Sequence, residues 1–212
     1  MRSMGFCRVK LLVLILFLIL LFASPLAKSL PSGVGDVAND GCLCHGGKSQ
    51  STTVIIDGIP QQWIANSTYN MSIIINSTIE ISQHENARQG GFRLMINNGI
   101  VIFEQSNHSQ LINDGYTHTS EGNQFRQWNF SWTAPSSNDS VVTFVVHGNA
   151  VNSDEQSSGD AWNYYSYSAA GEGFNGVNGE SPNYSNEIQN SEIALLVFAV
   201  ISLAGLFYYS TK

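Results

Sequence analysis

Apolar and polar residues alternate through most of the middle of this chain. From Thr52 onward helical periodicity is absent and a period of two dominates, which predicts extended strands. Thr53-Val54-Ile55-Ile56-Asp57 is one such stretch, stopped by Gly58 and Pro60. Tyr69 to Ile75 is a second. Gly91 to Ile96 alternates and leads through Asn97-Asn98-Gly99, a hairpin-type turn, into Ile100-Val101-Ile102-Phe103. Two more strands are predicted at Phe125 to Trp132 and Val141 to His147. The turn signals between them predict an all-β domain, an antiparallel sandwich of about seven or eight strands of immunoglobulin-like kind. Roughly 120 residues hold such a core without a disulfide. Within Trp128-Asn129-Phe130-Ser131-Trp132 the three aromatics share one face and are expected in that core. Pro135 ends the strand because it has no N–H for the ladder.

Two apolar runs at the ends add a membrane to the picture. Arg2, Arg8 and Lys10 precede Leu11 to Ala23, the length of a signal-peptide core and short for a span. Ala23, Ser24 and Ala27 offer cleavage positions, so residues 1–27 are expected to be a signal peptide, with an uncleaved anchor as the alternative. Cys7 precedes the run and is no lipid-attachment cysteine. Ile193 to Tyr209 is apolar on all sides and would make a helix about 26 Å long. Tyr208 and Tyr209 sit at one end with Lys212 beyond, which places Lys212 in the cytoplasm and the preceding chain outside. The expected layout is a Cys-His segment over 28–51, the sandwich over 52–170, a flexible acidic stalk over 171–190, a transmembrane helix over 191–210 and a tail of 211–212. That makes a single-pass cell-membrane protein with an extracytoplasmic N-terminal domain.

Charge narrows the partners. Between residue 27 and Lys212, five basic residues face all sixteen acidic ones, a net of −11. Such a surface repels phosphate backbones and excludes nucleic acid as a partner. Asn66, Asn70, Asn76, Asn107, Asn129, Asn138 and Asn183 each begin an Asn-x-Ser/Thr sequon.

The candidate chemistry lies in Gly41-Cys42-Leu43-Cys44-His45-Gly46-Gly47. Two thiols followed by an imidazole resemble covalent c-type haem attachment, in which both thiols add to porphyrin vinyls and the His ligates iron. The usual spacing is Cys-x-x-Cys-His; here one residue separates the cysteines. Zinc or copper is a second possibility, with Cys42, Cys44, His45 and a fourth ligand such as His118. A third is a disulfide between Cys42 and Cys44, a small strained ring that staples little chain. Asp154, Glu155 and Asp160, with Asn149 and Asn152, collect oxygen atoms as a calcium site does. The EF-hand ligand order is absent, so a solvated acidic loop turning at Gly159-Asp160 is preferred. No nucleophile elbow, zinc-protease motif or phosphate loop occurs, so no enzyme is expected.

Several of these stretches together resemble a known family. Trp128 to Pro135, Val142-Thr143-Phe144, Gly148 to Asn152 and Ser157 to Asp160 look like the second half of a Reeler-type domain. They look closer still to the prokaryotic choice-of-anchor V relatives. Gly91-Phe92-Arg93-Leu94 matches the family's Gly-Phe strand and Tyr116 to Thr119 its His-Thr turn. The resemblance spans residues 33–167. It implies a signal peptide, a Cys-His haem motif, a Reeler-like sandwich and a C-terminal anchor. It makes Cys42, Cys44 and His45 the haem-binding residues. His118 is the first choice for the sixth ligand, with His84, His108, His147, Met71 and Met95 behind it. The implied activity is a membrane-anchored mono-haem electron carrier, with Asp36, Asp40 and Asp160 lowering the potential and favouring a basic redox partner. The alternative is a non-redox surface module that binds a protein, glycan or cell-wall component, its Cys-His cluster structural or metal-loaded.

Overall fold

The computed structural model describes residues 30–211 except 46, 155, 157, 178 and 185–189. The expected signal peptide, with Cys7, and Lys212 at the other end lie outside the described residues. Ala27–Ser185 form one compact unit, and the C-terminal helix belongs to a second.

Ten strands are found among the described residues. They are β1 (Thr52–Asp57), β2 (Gln62–Trp63), β3 (Thr68–Ser77), β4 (Gly90–Ile96), β5 (Ile100–Phe103), β6 (Ser109–Ile112), β7 (Gly115–His118), β8 (Gln127–Thr133), β9 (Val141–Ala150) and β10 (Ala161–Gly171). They form a four-stranded sheet in the order β1-β3-β8-β5 and a six-stranded sheet in the order β2-β10-β9-β4-β7-β6. Every pairing is antiparallel except the short parallel contact of β2 with β10. The core lies between the sheets. Val54, Ile56, Ile73 and Trp128, Phe130, Trp132 enter from the four-stranded sheet, and Phe92, Leu94, Phe144 and Val146 from the other. The three alternating aromatics of β8 are therefore core, as their spacing predicts.

The Asn97-Asn98-Gly99 turn does not make the expected hairpin. It carries the chain from β4 in one sheet to β5 in the other. Gly99 sits at φ +98° against the Trp132 indole, whose Nε1 donates to the Asn98 carbonyl at 3.0 Å. A side chain there would meet that ring, so the crossing needs glycine. The expected turn at Tyr116 to Thr119 is instead largely strand β7.

The six-stranded sheet departs from simple alternation. Arg93, His147, Asn149 and Trp162 are buried although they alternate with the core residues of β4, β9 and β10. The cause is a second layer: the segment from Leu30 to Ser51 runs across the outer face. Val34 N–H donates to Thr117 Oγ1 at 3.1 Å, Asn123 Nδ2 to the Pro31 carbonyl at 2.8 Å, and Ser49 N–H to the Trp162 carbonyl at 2.8 Å. The stretch expected as a stalk is also tied down in part. Glu172 N–H reaches the Trp63 carbonyl at 3.0 Å, and Tyr184 packs on His147 with ring centroids 4.7 Å apart.

Helix α1 (Asn190–Thr211) forms where the second apolar run predicts one. Its Leu195, Phe198 and Ile201 are exposed. The expected transmembrane helix is not borne out: among the described residues no helix is long and apolar enough to cross a membrane.

Candidate functional site

The Cys-His segment is placed by a close approach of backbone to an indole. Gly41, at φ +125°, lies against the Trp162 ring, where a Cβ would collide. The chain can turn there only without a side chain, and the turn that follows presents the chemistry. Leu43–His45 form a 3-10 turn whose His45 N–H donates to the Cys42 carbonyl at 2.9 Å. Cys42 is half-buried and Cys44 exposed; no bond joins the sulfurs, so the disulfide alternative is not formed. Burial, and then the neighbouring Cys44, push the Cys42 thiol up to about 12. It is an inert thiol in the folded chain.

His45 is held from the far end of the sequence. Its Nδ1 lies 2.8 Å from Oδ2 of Asp160, whose side chain is 2 % exposed. The other oxygen, Oδ1, accepts from the Asn152 N–H at 3.1 Å. The contact is one of proximity and charge, since Nδ1 makes no hydrogen bond in this geometry. Asp160 is thus taken by His45 and Asn152. Asn152 and Asp154 also bond one another, Nδ2 to Oδ2 at 3.0 Å and Asp154 N–H to Asn152 Oδ1 at 3.1 Å. Those oxygens serve the loop's own N–H groups, in keeping with the turn read at Gly159-Asp160.

His118 shares the cleft with His45 but is already engaged. Its ring lies over Gly91, where a Cβ would come within 2.6 Å of Cε1. Its Nδ1 accepts the Phe92 N–H at 3.1 Å, which puts the ring proton on Nε2. Burial holds its pKa down; backbone hydrogen bonds to Phe92 and Leu30 oppose this, and nearby His45 lowers it further. Among the described residues no group of three or more His, Cys, Asp or Glu side chains is placed to hold a metal ion. Of the other sixth-ligand candidates, Met71 is core, His108 stacks on Phe125 at 4.6 Å, and His84 is exposed in a loop. Met95 is half-buried and does not line the cleft.

The cleft is walled by Leu30, Val34, Val37, Phe92 and Val151 and holds a cavity of about 100 Å³. Asn149 lines it too; it is 5 % exposed, and its Oδ1 has no hydrogen-bond partner. Sequence reasoning placed Asn149 in a loop; the structure puts it at the end of β9, facing the N-terminal segment.

His147 anchors that segment beside the cleft. It is buried, and its Nε2–H donates to the Asn39 carbonyl at 3.0 Å. Burial drives its pKa down to about 4; the Asn39 bond and Asp40 push it up, and Arg93 pushes it down. The unfolded imidazole titrates at the ordinary value, so between the two values the unfolded state binds more protons and stability falls as pH falls. This contribution is complete above pH 6.5 and lost on acidification toward pH 4. His147→Gln should flatten the dependence of Tm on pH across that window by about 3 kcal/mol relative to the parent chain. Parallel Tm curves for the two proteins would contradict it.

No family model matches the chain, and neither does any curated protein. Among solved structures it is similar to the Reelin-N domain of F-spondin, at 13 % identity over 59 % of this chain and 88 % of that one, TM-score 0.39. It is similar to the human F-spondin reeler domain at 12 % identity over 61 % and 97 %, TM-score 0.39. A conjugative transposon lipoprotein from Bacteroides eggerthii is similar at 15 % identity over 60 % and 100 %, TM-score 0.35. The likeness is one of β-sandwich architecture.

Proposed function

We propose that this chain is an extracytoplasmic, non-catalytic binding module, and that its ligand sits in the cleft between the N-terminal segment and the outer face of the six-stranded sheet. The observation that carries this is the unpartnered Oδ1 of Asn149 in a mostly apolar cleft. A buried acceptor without a donor costs about 1–3 kcal/mol, and a ligand that brings an N–H or O–H recovers it. The ligand is therefore a small molecule or side chain with an apolar body and one hydrogen-bond donor. N-phenyl-1-naphthylamine has both features and fluoresces when it leaves water. Saturable binding that Val151→Arg abolishes and Asn149→Ala weakens about fivefold is the expected result. Equal fluorescence from all three proteins would refute a cleft site.

A second reading is favoured by His45. Two unlinked thiols and an imidazole beside a mostly apolar cleft supply the donor set of a haem held through thioethers. Cys42, Cys44 and His45 would hold it, and when bound its iron supplies one-electron transfer. Asp160 stands beside the His45 ring, its Oδ2 2.8 Å from Nδ1. His118 offers no free nitrogen for the opposite side. Export together with a haem-attachment system, followed by acid–acetone extraction, tests this. A Soret band retained by the parent chain and lost in His45→Ala supports the haem; protein without the band leaves the first reading alone.

The exposed apolar side chains of α1 suit a lipid partner for that unit. Alkaline carbonate washing of the membrane fraction should leave the full chain in the pellet; release into the supernatant would count against it.

A further inference from the structure

We propose that Asn66, Asn70 and Asn76 carry N-linked saccharides, forming a row along and just before β3 on the outer face of the four-stranded sheet. The inference uses the extracytoplasmic reading for the compartment and nothing about the cleft.

The seven sequons are equivalent in sequence; the fold separates them. Asn66, Asn70 and Asn76 are exposed, and no hydrogen bond to their side-chain amides is found among the described residues. On a strand, Asn and the hydroxyl residue two positions on face the same way, so Asn70 with Ser72 point outward while Met71 enters the core. Asn66 occupies the turn before β3 at φ +58°, a conformation asparagine tolerates.

The other four are committed. Asn129 Oδ1 accepts from Ser72 Oγ at 2.8 Å and from Gln127 Nε2 at 3.2 Å, while its Nδ2 donates to Glu104 at 3.2 Å. Asn138 is half-buried, with Gly171 and Gly173 packed against it. Asn183 Oδ1 accepts from the Tyr164 hydroxyl at 2.7 Å. Asn107 Nδ2 donates to Glu121 at 2.7 Å. On Asn107 and Asn129 the Nδ2 that would take the saccharide already donates to a carboxylate, and the Asn138 and Asn183 amides lie against neighbouring groups.

The reaction requires a lipid-pyrophosphate-linked oligosaccharide as donor. The Asn Nδ2–C1 bond forms, the C1–O bond to pyrophosphate breaks, and the lipid pyrophosphate leaves while the amide gives up one proton. The row also answers a question of surface chemistry. Ile55, Ile100 and Ile102 stand exposed on the same sheet at 38 %, 63 % and 62 %, on its two edge strands β1 and β5. Exposed apolar edge strands invite pairing with other chains. Saccharides on β3 between them block that approach and leave the six-stranded side open.

The test is the intact mass of the full chain exported from a host with an oligosaccharyltransferase, beside a single-sequon reporter. Asn66→Asp, Asn70→Gln and Asn76→Gln should each remove one saccharide. Thr68→Ala, Ser72→Ala and Thr78→Ala should repeat the three losses through the other end of each sequon, which separates lost modification from lost folding. Asn107→Gln, Asn129→Gln, Asn138→Gln and Asn183→Gln should leave the mass of the saccharide unchanged. An unmodified chain beside a modified reporter overturns the proposal, as does a saccharide on any of the last four. Either failure leaves the cleft reading intact, because dye binding is measured on unglycosylated protein.

Discussion

Arg93→Met lowers the stability of the β unit by about 3–5 kcal/mol, read as a fall in Tm of roughly 10 °C. Arg93 is fully buried on β4, beneath the N-terminal segment. Its Nε donates to Asn39 Oδ1 at 2.9 Å, its Nη1 to the carbonyls of Ile112 and Gly115 at 2.6 and 2.9 Å, and its Nη2 to that of Asn113 at 2.8 Å. Burial pulls its pKa down and the charges of Asp36 and Asp114 oppose that. Methionine fills much of the volume but gives none of the donors, so several carbonyls lose their partners together. Arg93→Lys should recover little, because an ammonium cannot reproduce a planar fork that serves four acceptors. A Tm within about 2 °C of the parent for the Met variant would mean that the clamp is not structural.

Trp162→Ala costs a similar amount, about 3–5 kcal/mol, and its effect reaches the Cys-His turn. The indole is almost fully buried and supports Gly41 directly. Without it the turn loses its floor, and the burial that holds the Cys42 thiol at about 12 is relieved. At pH 8 the thiolate fraction then rises by orders of magnitude, so reaction with a thiol reagent should show two fast cysteines instead of one. If Cys42 stayed unreactive in this variant, something other than Trp162 would be covering it.

The strands that could be read from sequence are those with one wet face. β1, β3 and β8 alternate because the outer side of the four-stranded sheet meets water, and residues such as Trp128 and Trp132 fall on the buried side. β9 is buried almost end to end because the N-terminal segment covers its second face, so its polar members His147 and Asn149 gave no sign of their place. β10 carries Tyr, Asn and Ser in a run for which no strand was singled out, yet it pairs along ten residues with β9. The Cys-His motif was visible as a motif. Asp160 was expected near it only as one of three acidic residues, and the tertiary fold alone sets it directly against the His45 ring. The engagement of His118 was hidden for the same reason, since its partner is the backbone of another strand.

Gly41, the residue before Cys42, rests on an indole that is synthesised long after it. A nascent chain offers both thiols freely until β10 has been delivered and docked. Any covalent loading of that turn is then confined to the interval before the last strand arrives, and a chain that folds first is closed to it.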